Sequence, residues 1–223
     1  MRSIVSILHI ADLHRSKDCE TTNNSLLSSL INDRDSYTQN ENPKIKSPDL
    51  IIVSGDIIRG SVRPDDSVIE VQGQYDEALD FLNNLTTCFL NGEKKRLIVI
   101  PGNHDVDWKF SKNSMSKMEN SKVFDSTNSV KSQILKDAIN HNSNIRWAWR
   151  DLSFYEIKDS EKYKKRIEAF ANFYSTLYGG ERNYSLNPSE QYDIFDYPNY
   201  NITIVAYNSC YCNDHLRLVG DIH

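Results

Sequence analysis

Leu97-Ile98-Val99-Ile100-Pro101-Gly102-Asn103-His104-Asp105 runs from an aliphatic stretch straight into a turn and then into three polar, ligand-type side chains. An apolar run closed by Pro-Gly reads as a short buried strand, and the side chains just past its end stand at the edge of a sheet. The same pattern occurs twice more upstream. Ile4 to Ile10 leads into Asp12-Leu13-His14, and Asp49-Leu50-Ile51-Ile52-Val53 leads through Ser54 into Gly55-Asp56. Three parallel strands ending this way would bring all these groups to one rim, where open α/β sheets hold their ligands and metals.

The segments between the strands predict how the sheet is wound. After His14 a short helix is expected around Leu26 to Ile31, followed by a loop, because Arg34 to Pro48 is rich in Asn, Asp, Ser and Lys. Ala78, Phe81, Leu82, Leu85, Cys88 and Phe89 recur at helical steps and predict one apolar helix face, with Asn91-Gly92 as its stop. Strand, helix, strand, helix, strand implies a parallel, right-handed sheet covered by helices. Beyond Asp107 the pattern changes. Phe110 to Val130 is polar and aperiodic, and a mobile or partly ordered stretch is expected there. Helices are expected around Ile134 to Ile139, from Ile145 to Phe154, and along the stripe Tyr163, Ile167, Phe170, Tyr174 and Leu177 that ends at Gly179-Gly180. The stripe reads as core packing. Together these segments predict an α-helical insertion over about residues 109–180, before two further strands, Tyr192 to Phe195 and Ile202 to Ala206, separated by a turn at Pro198-Asn199.

The 223 residues suit a single domain that spans the chain and carries this insertion. With 39% hydrophobic and 26% charged residues, no apolar run is long enough to cross a bilayer, so no membrane partner is expected. The apolar start of the chain reads as the first strand, since Asp12 follows where a cleaved leader would end. Cys19, Cys88, Cys210 and Cys212 lack framework spacing and fit a reducing cytoplasm; Cys210-x-Cys212 reads as two thiols near a strand end. A net charge of -5 gives no global attraction to nucleic acid.

Mixed Asp, His and Asn donors on one rim suit two adjacent divalent ions. Such ions lower the pKa of bound water to about 7 in favourable cases and neutralise phosphoryl oxygens. Asp56, alone at a strand tip behind a glycine, suits the bridging post between the ions. Asp12 and His14 would fill one ion's shell, and Asn103 would offer a neutral oxygen to the other. This donor set favours manganese first, with iron, zinc or nickel as alternatives, over calcium. No phosphate-cradling glycine loop and no Gly-x-Ser-x-Gly elbow occurs. Each group also has a plainer reading: a lone Asp can cap a helix and a lone His can be a surface imidazole. His9, inside the first strand, is expected to pack or to donate a hydrogen bond rather than ligate.

The three motifs resemble the first three blocks of the calcineurin-like metallophosphoesterase superfamily, in which Asp-x-His, Gly-Asp and Gly-Asn-His-(Asp/Glu) occur in this order on a β-sandwich flanked by helices. The resemblance implies Asp12, His14, Asp56 and Asn103 as metal ligands, with Asp56 bridging. It makes His104 the catalytic histidine beside the leaving group and Asp105 a supporting member of the catalytic set, orienting His104 or capping the next segment. Protein phosphatases of the family carry Gly-Asp-x-x-Asp-Arg-Gly, whereas this chain has Gly55-Asp56-Ile57-Ile58-Arg59-Gly60, which argues against that activity and leaves Arg59 as a candidate for substrate binding. The two later histidine blocks of the family are not found. The sandwich is therefore expected to be incomplete on its C-terminal side, as in a piece truncated from a longer parent protein with further domains. His215 and His223 are the competing candidates for substitute ligands.

The resemblance implies a metal-dependent phosphoesterase, with phosphodiesters as the leading substrate class. A DNA or RNA nuclease of the same superfamily is one alternative, since Leu8-His9-Ile10-Ala11-Asp12-Leu13-His14 is similar to its repair-nuclease branch. A non-catalytic nucleotide- or phosphate-binding sensor module is the other. The basic run Lys158, Lys162, Lys164, Lys165 and Arg166 reads as a solvated helix face.

Overall fold

Ile7–Ile10 (β1), Leu50–Ser54 (β2) and Leu97–Ile100 (β3) form a parallel sheet in the order β1-β2-β3. The computed structural model describes residues 4–61, 68–119, 123, 127–140 and 142–218. Register sets Ile7 against Leu50 and Val53 against Val99, so all three strands end at one edge. Asn23–Gln39 (α1) and Val68–Leu90 (α2) follow the first two strands. The predicted apolar face of α2 is the centre of the core, with Ala78, Phe81, Leu82 and Leu85 fully buried. Its end is the predicted one: Asn91 and Gly92 take positive φ, and the Gly92 N–H closes on the Thr86 carbonyl at 3.1 Å. Cys88, expected on that face, is exposed, and buried Thr86 takes the inward position.

α1 is much longer than expected and takes in Arg34 to Gln39, the first part of the segment predicted as loop. Thr22 caps it by accepting from Ser25 N–H at 3.2 Å. Arg34 then anchors its second half to α2, donating to the Cys88 carbonyl at 2.9 Å and lying 5.0 Å over the Phe89 ring. Weak local propensity yields here to tertiary contact.

The segment expected as a helical insertion is mixed. Trp108–Asn113 (α3), capped by Asp107, and Met115–Lys117 (β4) occupy part of the stretch expected to be mobile. Asn128–Ile139 (α4) is the helix expected there. The helix expected over Ile145 to Phe154 is instead a hairpin of Ile145–Ala148 (β5) and Ser153–Ile157 (β6), and β4, β6 and β5 make an antiparallel sheet. Arg146 and Ala148 point inward with period two, Trp147 pairs with Phe154 across the hairpin at 4.7 Å, and Leu152 makes the turn with φ 49°. Ser160–Lys164 (α5) and Glu168–Leu177 (α6) follow. α6 belongs to the main core, where Phe173 stacks on Tyr75 of α2 at 5.0 Å and the Tyr178 hydroxyl donates to the Leu97 carbonyl of β3 at 2.8 Å. Tyr192–Tyr197 (β7) and Ile202–Tyr207 (β8) are an antiparallel pair, with Phe195 and Ala206 in the same core.

Arg166, expected on a solvated face, is 2% exposed. Its guanidinium lies 3.9 Å over the Tyr163 ring and donates to the carbonyls of Asn213 and Tyr211. Beside it the Asp214 carboxylate accepts from Arg146 and from the Tyr163 hydroxyl, each at 2.7 Å, in full burial. This network ties β5 and α5 to the segment after β8. Asp214→Ala leaves Arg146 buried without its carboxylate and is expected to cost about 3 kcal/mol, read as a shifted urea midpoint.

Candidate metal centre

The loops that leave β1, β2 and β3 are laced together at the strand ends. His14 N–H donates to the Asp56 carbonyl, Arg15 N–H to the Ile57 carbonyl and Gly55 N–H to the Ile100 carbonyl, each at 2.9 Å. Asp12, His14 and Asp56 take φ of 54°, 46° and 48°, in the left-handed region that L side chains avoid. Each such residue costs on the order of 1 kcal/mol or more, and the lacing is what holds them there. Glycine at 55, with φ 82°, turns the chain so that Asp56 projects over the sheet edge.

These turns converge. One donor atom each from His14, Asp56 and His104 lies within 4.8 Å of the others, the one such group of His, Cys, Asp and Glu among the described residues. His14 Nε2 stands 3.9 Å from Asp12 Oδ1 and 4.0 Å from Asp56 Oδ2. Those gaps are too long for hydrogen bonds, yet donors sharing one ion at about 2.1 Å stand roughly 3–4 Å apart, so the residues present fit a divalent metal. Asn103 lines a cavity of about 320 Å³ together with Asp12 and Asp56. The Asp56 side chain is 14% exposed and that of Asp12 70%, so Asp56 is the inner carboxylate and Asp12 the outer one. A larger cavity, about 760 Å³, lies between α4 and the β5–β6 hairpin, but it is lined by Leu, Ile, Trp and Arg and holds no metal donors of the Asp or His type.

His104 is oriented by backbone rather than by Asp105. Its Nδ1 stands 2.6 Å from the Arg59 carbonyl oxygen, and an oxygen that can only accept requires the proton on Nδ1. Its own N–H donates to Asp56 Oδ1 at 3.0 Å. Arg59 therefore reaches the site through its carbonyl, while the residue is exposed.

Asp105, expected within the catalytic set, is 2% exposed and cannot reach a substrate. Its Oδ2 accepts from Gly102 N–H at 2.8 Å and Ile57 N–H at 3.2 Å, and its Oδ1 accepts from the Tyr75 hydroxyl at 3.1 Å. One buried carboxylate thus clamps the second motif, the third motif and α2; it neither orients His104 nor caps the next segment, whose N-cap is Asp107. Burial pushes its carboxyl up to about 7, against the pull of those hydrogen bonds.

His215 is not in the cluster. It is partly buried, with Nδ1 3.0 Å from Ser111 Oγ, and burial lowers its pKa. His223 lies outside the described residues. His9 is exposed rather than packed and meets the Ser54 hydroxyl at 2.6 Å, beside the cavity. Sequence reasoning did not find Tyr75, Gln74 or the Arg59 carbonyl. Tyr75 lies one helical step before Ala78 on the predicted face of α2 and could have been read from it.

A model of the calcineurin-like phosphoesterase family matches residues 5–207. No curated protein and no solved structure matches the chain. A family match over most of the chain agrees with the three motifs in order and with the convergence of their donors on one rim. The chain belongs to the calcineurin-like phosphoesterase family, hydrolases that act on phosphoester bonds.

Proposed function

We propose that this protein hydrolyses phosphodiesters with two divalent ions, manganese first, held by Asp12, His14, Asp56 and Asn103, with Asp56 between them. The observation that carries this reading is the meeting of His14, Asp56 and His104 within 4.8 Å, with Asp56 also lining the cavity that holds Asp12 and Asn103. When bound, the ions would supply an acidified water and neutralise phosphoryl charge. The chain supplies the rest. His104, held at Nδ1 by Arg59, carries a proton on Nε2 for the leaving oxygen when the ring is protonated. Asp105 and the loop lacing keep the ligand-bearing turns in place without rearrangement.

The charge distribution favours a small phosphodiester over nucleic acid. Lys158 and Lys164 are paired with Glu156 and Glu161 and Arg166 is buried, which leaves only Lys162 and Lys165 of the basic run exposed outside these pairs. Four free thiols support a reducing, cytoplasmic setting. The outward row Tyr192, Ile194, Val205 and Tyr207 on the β7–β8 pair supports a second layer over this face, as in a sandwich.

The test is calorimetric titration with manganese, followed by hydrolysis of bis-p-nitrophenyl phosphate with and without a chelator. Turnover that requires manganese is expected. Metal binding without turnover would select the sensor reading, and no metal binding would overturn the proposal.

A further inference from the structure

The peptide group joining Arg59 to Gly60 is held at both ends. Its carbonyl accepts from His104 Nδ1 at 2.6 Å, and its N–H donates to Gln74 Oε1 at 2.8 Å. A trans peptide points its C=O and N–H in opposite directions, so the two bonds pull along one dipole and strengthen each other. Gln74 also grips the next peptide, with Nε2 donating to the Gly60 carbonyl at 3.3 Å. It projects from α2 and is 4% exposed, so its amide is fixed by the helix and shielded from water.

This grip matters because of what residue 60 is. Gly60 has φ 77°, and a Cβ there would stand 2.5 Å from the His104 carbonyl oxygen, so only glycine fits. Glycine is also the residue that most easily lets the preceding peptide turn over. A turned peptide would present N–H instead of C=O to the imidazole and would require the proton on Nε2. Gln74 Oε1 would then face a carbonyl oxygen, with which it cannot bond. We propose that Gln74 is a positioning residue for His104, holding the Arg59–Gly60 peptide with its carbonyl toward the ring and so fixing the imidazole as its Nδ1–H tautomer. The catalytic consequence rests on the phosphoesterase reading above; the tautomer does not.

The experiment is proton–nitrogen correlation NMR of the histidine rings in the metal-free chain at about pH 8.5, which reads directly which ring nitrogen carries the proton. In the wild type His104 is expected as the Nδ1–H tautomer. In Gln74→Met, which keeps the length of the side chain and removes its amide, a mixture with Nε2–H as the larger part is expected. Gln74→Glu keeps an acceptor for Gly60 N–H but loses the donor to the Gly60 carbonyl, and is expected to retain more Nδ1–H than Gln74→Met. A merely packing role would make the buried Glu worse than Met. Wild-type His104 found as Nε2–H would overturn the proposal whether or not the variants fold, and so would an unchanged tautomer in folded Gln74→Met. Should manganese-dependent turnover be present, Gln74→Met is expected to lower kcat about tenfold with KM unchanged. Absence of turnover would count against the phosphoesterase reading, while the tautomer result stands by itself.

Discussion

Asp56→Asn is expected to weaken manganese binding about a thousandfold, roughly 4 kcal/mol at 1.4 kcal/mol per tenfold, and to abolish measurable hydrolysis. The size follows from position and charge. Asp56 is the inner carboxylate of the rim, with Oδ2 4.0 Å from His14 Nε2, and in the two-ion site proposed above it would serve both ions. Removing its charge takes a hard anionic oxygen from each of them. The substitution is also a clean one. Asn keeps an oxygen in the place of Oδ1, so the His104 N–H retains the acceptor it now meets at 3.0 Å. Unfolding stability without metal is therefore expected to stay within about 1 kcal/mol of wild type. Calorimetry beside urea unfolding separates the two effects. Undiminished manganese affinity in the variant would mean that Asp56 is not a ligand.

Gly102→Ala should damage the same centre by a different route, through shape alone. The backbone at 102 is extended, with φ -112°, so alanine suffers no conformational strain there. The added Cβ, however, would stand 2.1 Å from Asp56 N and 2.2 Å from Asp56 Oδ1. Asp56 cannot retreat cheaply, because its carbonyl takes the His14 N–H and its carboxylate takes the His104 N–H. Gly102 cannot retreat either, since its N–H donates to buried Asp105. We expect a loss of about 3 kcal/mol in stability, at the upper end of overpacking costs, and at least about a hundredfold loss in manganese affinity. Gly73→Ala is the matching control. It lies inside α2, where an added Cβ meets nothing within 4 Å, and it should stabilise by about 0.5–1 kcal/mol. A folded Gly102→Ala protein with normal metal affinity would show that the approach of the second and third turns is not what places the carboxylate.

The strands and motifs around the centre were legible because their signal is local. Each of β1, β2 and β3 is a short apolar run whose last residues announce both the turn and the donors, and the end of α2 is written in Asn91-Gly92. The Ile145 to Phe154 segment was misread because its aromatic residues suit a helix or a strand about equally. What decided it was the pairing of Trp147 with Phe154 and the burial of Arg146 against Asp214, 68 residues further on. α1 outran its weak local propensity for the same kind of reason, through Arg34 and the end of α2.

The sequence by itself determined which chemical groups stand at the sheet edge, since strand period and strand end assign them whatever packs behind. Only the tertiary structure decided what those groups do to one another. Asp105 left the reacting set when the second and third turns and α2 closed around it and took it from solvent. His104 received its tautomer from a backbone carbonyl, an atom every residue has and no sequence distinguishes, brought there by a glycine and a glutamine on a helix. Contacts of that kind depend on the relative placement of distant segments, which the packed core fixes and local pattern does not.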